Sequence, residues 1–240
     1  LYAHYGPEVI LAAGDRTALE WQIPDTNGSP IAEIGVAVGG TSEQELTVYL
    51  DFLTWDGAPN VRLSRPSADQ TMWRRAWVDA VDHFDAQWPE AYRVIQDVGR
   101  GLLIQGTNDW KDYRASAQIR SPLAEAMGVG VRVQGLRRYY ALLLIRHVGV
   151  RLIKMWDTER ILAETDYAWD FDTCYEIELE VCGSRLRAWI NQALIFDLVD
   201  ADQPLSGGGV ALICEEGCVS TDAVLVVPDL PPISRTQKKS

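Results

Sequence analysis

The clearest pattern in the chain is an alternation of apolar and charged positions between residues 174 and 197. From Tyr175 to Val181, four apolar residues alternate with three glutamates. A period of two is typical of a strand with one apolar and one polar face. Gly183 and Ser184 then predict a tight turn, and the apolar positions of Leu186–Ile190 resume the alternation. The stretch therefore predicts a β-hairpin.

Runs of the same kind recur along the whole chain, separated by turns rich in Asp, Asn, Gly and Pro. Their number and close spacing predict an all-β protein built as an antiparallel sandwich. The predicted strands are Glu8–Ala13, Ala18–Ile23, Ile31–Val38, Leu46–Trp55, Val61–Leu63, Leu102–Ile104, Tyr113–Ile119, Gly128–Gln134, Tyr139–Ile145, Val150–Met155, Arg160–Ala163, Tyr175–Val181, Leu186–Ile190, Gly209–Cys214 and Ala223–Val227.

Two features divide the chain into parts. Arg65–Gln70 has the composition of a linker, and the basic C-terminal residues indicate a disordered end. We therefore predict a smaller β segment over 1–68, the main sandwich over 69–229, and a disordered tail over 230–240. Between Trp73 and Trp88 the aromatic spacing fits one face of a helix ending at Pro89. A strand is the competing interpretation, and the pattern alone does not decide between them.

Composition narrows the classes of partner. The net charge is −12, with 34 acidic and 22 basic residues, so we expect no nucleic-acid partner. No apolar run approaches the roughly 18 residues that span a membrane, and we expect no membrane association. The four cysteines lack zinc-ligand spacing and are expected to be free thiols, which slightly favours the cytoplasm. The chain does not begin with Met, so the compartment stays open.

Seven strings of sequence together resemble known β-sandwich families. In order, those from residue 101 onward resemble a laminin-G or concanavalin-like sandwich, and the earlier ones resemble part of a galactose-binding-like jelly roll. Together they are similar to the C-terminal region of some bacterial ADP-ribosylglycohydrolase-family proteins. The strings are ALEWQIPDTNGSPIAEIGV, VYLDFLTWDGAP, GLLIQGTNDWKDYRASAQI, GVGVRVQGLRRYYALLLI, VRLIKMWDTERILAE, YEIELEVCGSRLRAWIN and GGGVALICEEG.

This resemblance implies an accessory region that lacks the family's catalytic residues. The family's catalytic domain is helical and binds two magnesium ions through Asp, Glu and Thr residues, and nothing in this sequence matches that arrangement. The resemblance therefore implies an upstream catalytic domain in the same polypeptide and a non-catalytic module that binds a carbohydrate or ADP-ribose. No cofactor is expected. A structural calcium ion is compatible with such folds, although no carboxylate loop is diagnostic.

The glutamates of the hairpin predicted over Tyr175–Ile190 suggest a catalytic alternative. Glu176, Glu178 and Glu180 occupy alternate positions, so their carboxyl groups share one face of a strand. Laminarinase-like glucanases place a similar array on one strand of a concanavalin-like sandwich, and retaining hydrolysis needs two carboxylates about 5 Å apart. The other interpretation is that the glutamates form the solvated face of an acidic protein's sheet.

A ligand surface is the preferred hypothesis for the site. Arginine supplies a planar fork of donors, and Trp or Tyr supplies a flat ring on which a sugar can stack. The alternative is structural, with the aromatic rings sealing the sheet edge and the arginines paired with Glu176–Glu180 across strands. A purely structural or oligomerisation module is a third hypothesis. The predicted binding residues are Arg132, Gln134, Arg138, Tyr140, Arg187 and Trp189.

Overall fold

The computed structural model describes residues 3–24, 26, 31–39, 47–55, 57–66, 72–84 and 87–228. Within them the chain is almost entirely β, with one short 3-10 helix at Met72–Ala76. The strands are β1 (Val61–Ser64), β2 (Val78–Ala80), β3 (His83–Phe84), β4 (Tyr92–Gln105), β5 (Tyr113–Gly135), β6 (Arg138–Ile145), β7 (Gly149–Trp156), β8 (Thr158–Thr165), β9 (Cys174–Cys182), β10 (Arg185–Ile190), β11 (Ala193–Val199), β12 (Gly209–Thr221) and β13 (Ala223–Pro228).

The thirteen strands form one antiparallel network that divides into two layers at β5. The first half of β5 pairs with β9 on one side and β13 on the other. Its second half pairs with β12 and β6. Layer 1 therefore runs β1-β13-β5-β9-β10-β11, and layer 2 runs β4-β12-β5-β6-β7-β8, with β2 and β3 on the outer edge of β4.

The main core lies between the two layers. Layer 1 contributes Ile177, Leu179 and Leu186, while layer 2 contributes Val129 and Leu142, all of them fully buried. Residues that alternate with these along the layer 2 strands form a second buried apolar cluster, which includes Ala141, Leu143 and Ile213. The central strands of layer 2 are thus apolar on both faces, as their near-continuous apolar sequence indicates.

Each strand predicted after residue 100 is present, with two differences in number. Tyr113–Ile119 and Gly128–Gln134 are one uninterrupted strand, β5, which passes through Pro122. Strand β11 was not predicted. The helix considered for Trp73–Trp88 is a 3-10 turn followed by two short strands, because Trp73, Trp77 and Phe84 pack around Tyr92 in the core. No helix within the described part of the chain has the length and hydrophobicity needed to cross a membrane.

The residues before Val61 differ from the prediction. The described positions among them contain no strand, and nearly all are exposed. The strands expected at Glu8–Ala13, Ala18–Ile23 and Ile31–Val38 are therefore absent there, and so is the described part, 47–55, of the strand expected at Leu46–Trp55. An extended segment becomes a strand only when a neighbour pairs with its backbone. The smaller β domain over 1–68 stays a prediction, and the tail over 230–240 lies outside the described residues.

Candidate functional site

Two of the predicted binding residues meet on the outer surface of layer 1. In the register of β5, β9 and β10, Glu178 lies opposite Trp189 and Glu180 lies opposite both Arg187 and Arg114. We call these five residues the Trp189 face. They share one surface because alternate positions along each strand point away from the core.

The charges of the Trp189 face are paired internally. Arg187 Nε donates to Glu180 Oε1 over 2.6 Å, and Arg114 Nη1 lies 3.3 Å from Glu178 Oε2. Both guanidinium carbons lie 5.7 Å from the centre of the half-buried Trp189 ring. That distance is within the reach of a cation–π interaction. The face thus combines a flat ring with donors and acceptors on fixed strands.

The three glutamates predicted as a wet or catalytic array occupy different environments. Glu180 is buried beneath Arg187, whereas Glu176 is half-buried and accepts a long hydrogen bond from Gln192. Burial raises the pKa of Glu178 above its ordinary value, the nearby Arg114 partly opposes this, and the charges of Glu176 and Glu180 add to it. Of the three arginines expected to pair with these glutamates under the structural alternative, only Arg187 does so, with Glu180.

Arg132 and Tyr140 lie inside the protein, which corrects their placement on a binding surface. The Arg132 side chain donates to the carbonyls of Lys111, Gly183 and Leu205 and pairs with Asp112. The alternation of β5 fails there, because Arg132 has a φ of 48° and the pairing with β6 shifts between Val131 and Gly135. Its side chain therefore turns to the loops at the end of the sandwich.

Tyr140 belongs to a second internal network. Its hydroxyl donates to Asp200 over 2.6 Å and accepts from the backbone N–H of Leu205. Burial raises the pKa of Tyr140, and the hydrogen bond to the Asp200 carboxylate raises it further. The hydroxyl is thus a neutral donor committed to the protein itself.

Gln134 and Arg138 are exposed but belong to layer 2. Gln134 Nε2 donates to the carbonyl of Gly207 over 2.8 Å. The Arg138 guanidinium lies 4.8 Å from the centre of the Trp156 ring and near the Asp157 carboxylate. Of the six predicted residues, only Arg187 and Trp189 are brought together on one face.

A cleft at one end of the sandwich was not predicted from the sequence. The loops β6–β7 and β8–β9 enclose about 500 Å³, and Tyr167, Trp169 and Phe171 contribute three aromatic side chains to its lining. These three occupy alternate positions in the segment DYAWDFD of the long β8–β9 loop. Such a density of aromatic residues in a connecting loop was the available signal, since loops carry binding residues on a rigid scaffold.

Metal binding receives no specific support from the described residues. Among them, no group of three or more His, Cys, Asp or Glu side chains is arranged to hold an ion. The structural calcium ion stays a prediction. Cys174, Cys214 and Cys218 are free thiols, as expected.

Comparison with solved structures identifies the fold. The carbohydrate-binding module CBM66 from Bacillus subtilis matches with a TM-score of 0.57 and 16% identity, over 63% of this chain and 94% of that one. A Bacillus subtilis protein of unknown function with a galectin-like fold matches with a TM-score of 0.56 and 11% identity, over 72% and 97%. No family model matches the sequence, and no curated protein matches it. The chain thus has a lectin-like β-sandwich fold.

Proposed function

We propose that this protein is a non-catalytic carbohydrate-binding module and that the Trp189 face contacts the sugar. The observation that carries the proposal is a half-exposed indole ring surrounded by two arginines and two glutamates on rigid neighbouring strands. An indole face stacks on the apolar side of a sugar ring. Arginine donors and glutamate acceptors match the hydroxyl groups at its edge. The fold shared with CBM66 agrees with this assignment without specifying a ligand.

The charges of the face favour a neutral glycan over ADP-ribose. A diphosphate would need cations in excess, but Arg187 and Arg114 are each paired with a glutamate. The chain as a whole carries a charge of −12 and would repel an anion. A sugar hydroxyl both donates and accepts hydrogen bonds, so it can join an existing Arg–Glu pair without breaking it.

Binding is tested with a glycan array followed by calorimetry on the best neutral ligand. We expect Trp189→Ala to weaken that binding at least tenfold, about 1.4 kcal/mol, because tryptophan is a frequent energetic centre of contact surfaces. Trp156→Ala is the matched control: it removes a half-buried indole beside Arg138, away from the Trp189 face. If Trp156→Ala abolishes binding and Trp189→Ala does not, the ligand lies near Arg138. Binding to no glycan, together with a stable oligomer, would favour the structural hypothesis.

Hydrolysis by the glutamate array is the second candidate, and one observation favours it. The raised pKa of Glu178 is a property of general acids in glycosidases. Against it, Glu180 is buried and hydrogen-bonded to Arg187, which leaves it little freedom to attack a sugar. If a screen of neutral polysaccharides finds cleavage, Glu178→Gln should abolish it. Full activity in that variant would exclude this mechanism, and no cleavage by the parent would exclude the candidate.

An accessory role beside an ADP-ribosylglycohydrolase is a narrower hypothesis that rests on the sequence resemblance. The residues encoded upstream of Leu1 test it directly. A helical domain there with clustered Asp, Glu and Thr residues would support an accessory role, and any other kind of domain would contradict it.

A further inference from the structure

The cleft at the end of the sandwich has the form of a binding site separate from the Trp189 face. It lies between the short β6–β7 turn and the β8–β9 loop and encloses about 500 Å³, a volume within the usual range of small-molecule sites. The Trp189 face, in contrast, is the outer surface of layer 1. The two sites therefore differ in shape as well as in residues.

The loop that forms one wall is anchored at several points by the strands around it. The backbone N–H of Asp170 donates to the Tyr175 hydroxyl over 2.9 Å, and that of Asp172 donates to the Ser121 carbonyl over 2.8 Å. Gly149 has a φ of 122°, and a β-carbon there would lie 2.3 Å from the carbonyl oxygen of Thr165. Only glycine permits this close approach. The wall is thus held in place before any ligand arrives.

The aromatic side chains of the wall form a continuous packed group. The rings of Trp169 and Phe171 meet edge to face with centres 5.6 Å apart, and Trp169 also contacts Tyr175. The Arg146 guanidinium lies 4.6 Å from the centre of the Phe171 ring, so the opposite wall contributes a cation. Aromatic rings held in this way offer apolar surface at little cost in side-chain entropy.

The polar groups of the cleft identify the class of ligand. The β6–β7 turn contributes Arg146 and His147 to the lining, and the β8–β9 loop contributes Asp166 and Asp170. A purely anionic ligand would meet both carboxylates, and a purely cationic one would meet the guanidinium. A neutral polyhydroxylated ligand satisfies both, because each hydroxyl donates and accepts. Aromatic surface beside such mixed polar groups suits the two kinds of surface on a sugar ring.

We propose that the cleft between the β6–β7 and β8–β9 loops is a second glycan site, which takes the end of a neutral sugar chain while the Trp189 face contacts a longer stretch. A cleft bounded by two loops accepts a terminus, whereas an open strand face accommodates a chain that continues in both directions. The assignment does not depend on the Trp189 face, and either site can fail alone.

The test uses the full chain labelled with ¹⁵N at its tryptophan indoles, whose N–H signals are resolved by NMR. The probes are lactose, maltose, cellobiose and sucrose, with choline and galacturonate as the cationic and anionic comparisons. Trp169→Phe and Trp189→Phe assign the two signals. We expect at least one disaccharide to shift the Trp169 signal saturably, and Asp170→Asn or Phe171→Ala to weaken that binding about three- to tenfold. Trp189→Ala should leave it unchanged.

The outcomes separate the two sites. Shifts confined to the Trp189 signal would overturn the second site and leave the proposed function standing. A Trp169 signal that responds to choline or galacturonate but not to the disaccharides would overturn the ligand class. A Trp169 signal unmoved by all six probes would overturn the proposal. Asp170→Asn replaces an exposed side chain, so it reports on binding even if Trp169→Phe disturbs folding.

Discussion

Replacing Arg132 by methionine is expected to lower the free energy of unfolding by about 3–5 kcal/mol, because three backbone carbonyls lose a charged donor and each such loss costs about 1–3 kcal/mol. The guanidinium joins three connections at one end of the sandwich, because its acceptors lie in the β4–β5, β9–β10 and β11–β12 connections. Without it, buried carbonyls lose their donors, and each such loss is itself unfavourable. Urea unfolding of the purified variant measures the effect.

Two comparisons isolate the role of the guanidinium. Arg137→Met removes an arginine whose side chain is 70% exposed and which pairs only with surface Asp157, so it should change stability by less than about 1 kcal/mol. Arg132→Lys keeps the charge but loses the planar fork, so we expect it to lose most of the stability that the Arg132 side chain contributes. Methionine keeps the β-carbon, so the left-handed backbone at residue 132 is common to all variants. Equal stability of the Arg132→Met and Arg137→Met proteins would contradict a stabilising role for the Arg132 guanidinium.

Two kinds of pattern allowed strands to be predicted: alternation of apolar and polar residues, and near-continuous apolar runs such as those of β6 and β12. Strands β9 and β10 followed directly from their alternation and the glycine between them. Strand β5 was predicted as two strands, but it continues through Pro122, a residue that has no N–H for a ladder. In the structure the pairing of β5 with β12 shifts register beside Pro122, and the Ser121 hydroxyl donates to the Cys218 carbonyl. That accommodation depends on the partner strand, which the local sequence does not reveal.

The site was predicted less completely than the fold, because a polar residue on a strand can face either outward or into a loop. Arg187 and Trp189 lie on the surface as their alternation indicates. Arg132 shows the same local pattern, but a left-handed residue interrupts the alternation and directs its side chain inward. Tyr140 lies on a strand buried on both faces, so the sequence pattern does not show a face that meets solvent. Pairing of distant strands decides such cases.

Replacing Lys154 by methionine is the second substitution with a large expected effect, again about 3–5 kcal/mol of unfolding free energy. Lys154 Nζ donates to Asp200 Oδ2 over 2.7 Å and to the carbonyls of Asp202 and Gln203, and the charged pair is almost fully buried. The Tyr140 hydroxyl donates to the same carboxylate oxygen. Methionine fills a similar volume but leaves the carboxylate without a cation. Urea unfolding at neutral pH measures the loss.

The ionisation of Asp200 gives this pair a signature in pH. Burial alone would raise the pKa of Asp200, but the hydrogen bonds from Lys154, Tyr140 and the backbone of Asp202 outweigh it and hold the pKa below its ordinary value. A carboxyl with a lowered folded-state pKa stabilises the protein fully above the unfolded value, about 3.9, and loses that contribution as the pH falls through the folded value. The stability difference between the parent and Asp200→Asn should therefore be constant near neutral pH and shrink below about pH 4.

A neighbouring ion pair provides the control for both measurements. Arg160 lies opposite Lys154 in the β7–β8 register and pairs with Asp202, but their side chains are 58% and 67% exposed. Arg160→Met should cost less than about 1 kcal/mol, because solvent and salt already screen that pair. A cost for Lys154→Met no greater than for Arg160→Met would contradict a stabilising role for the buried pair. If the stability difference between the parent and Asp200→Asn persists undiminished at low pH, the charge of the carboxylate is not its source.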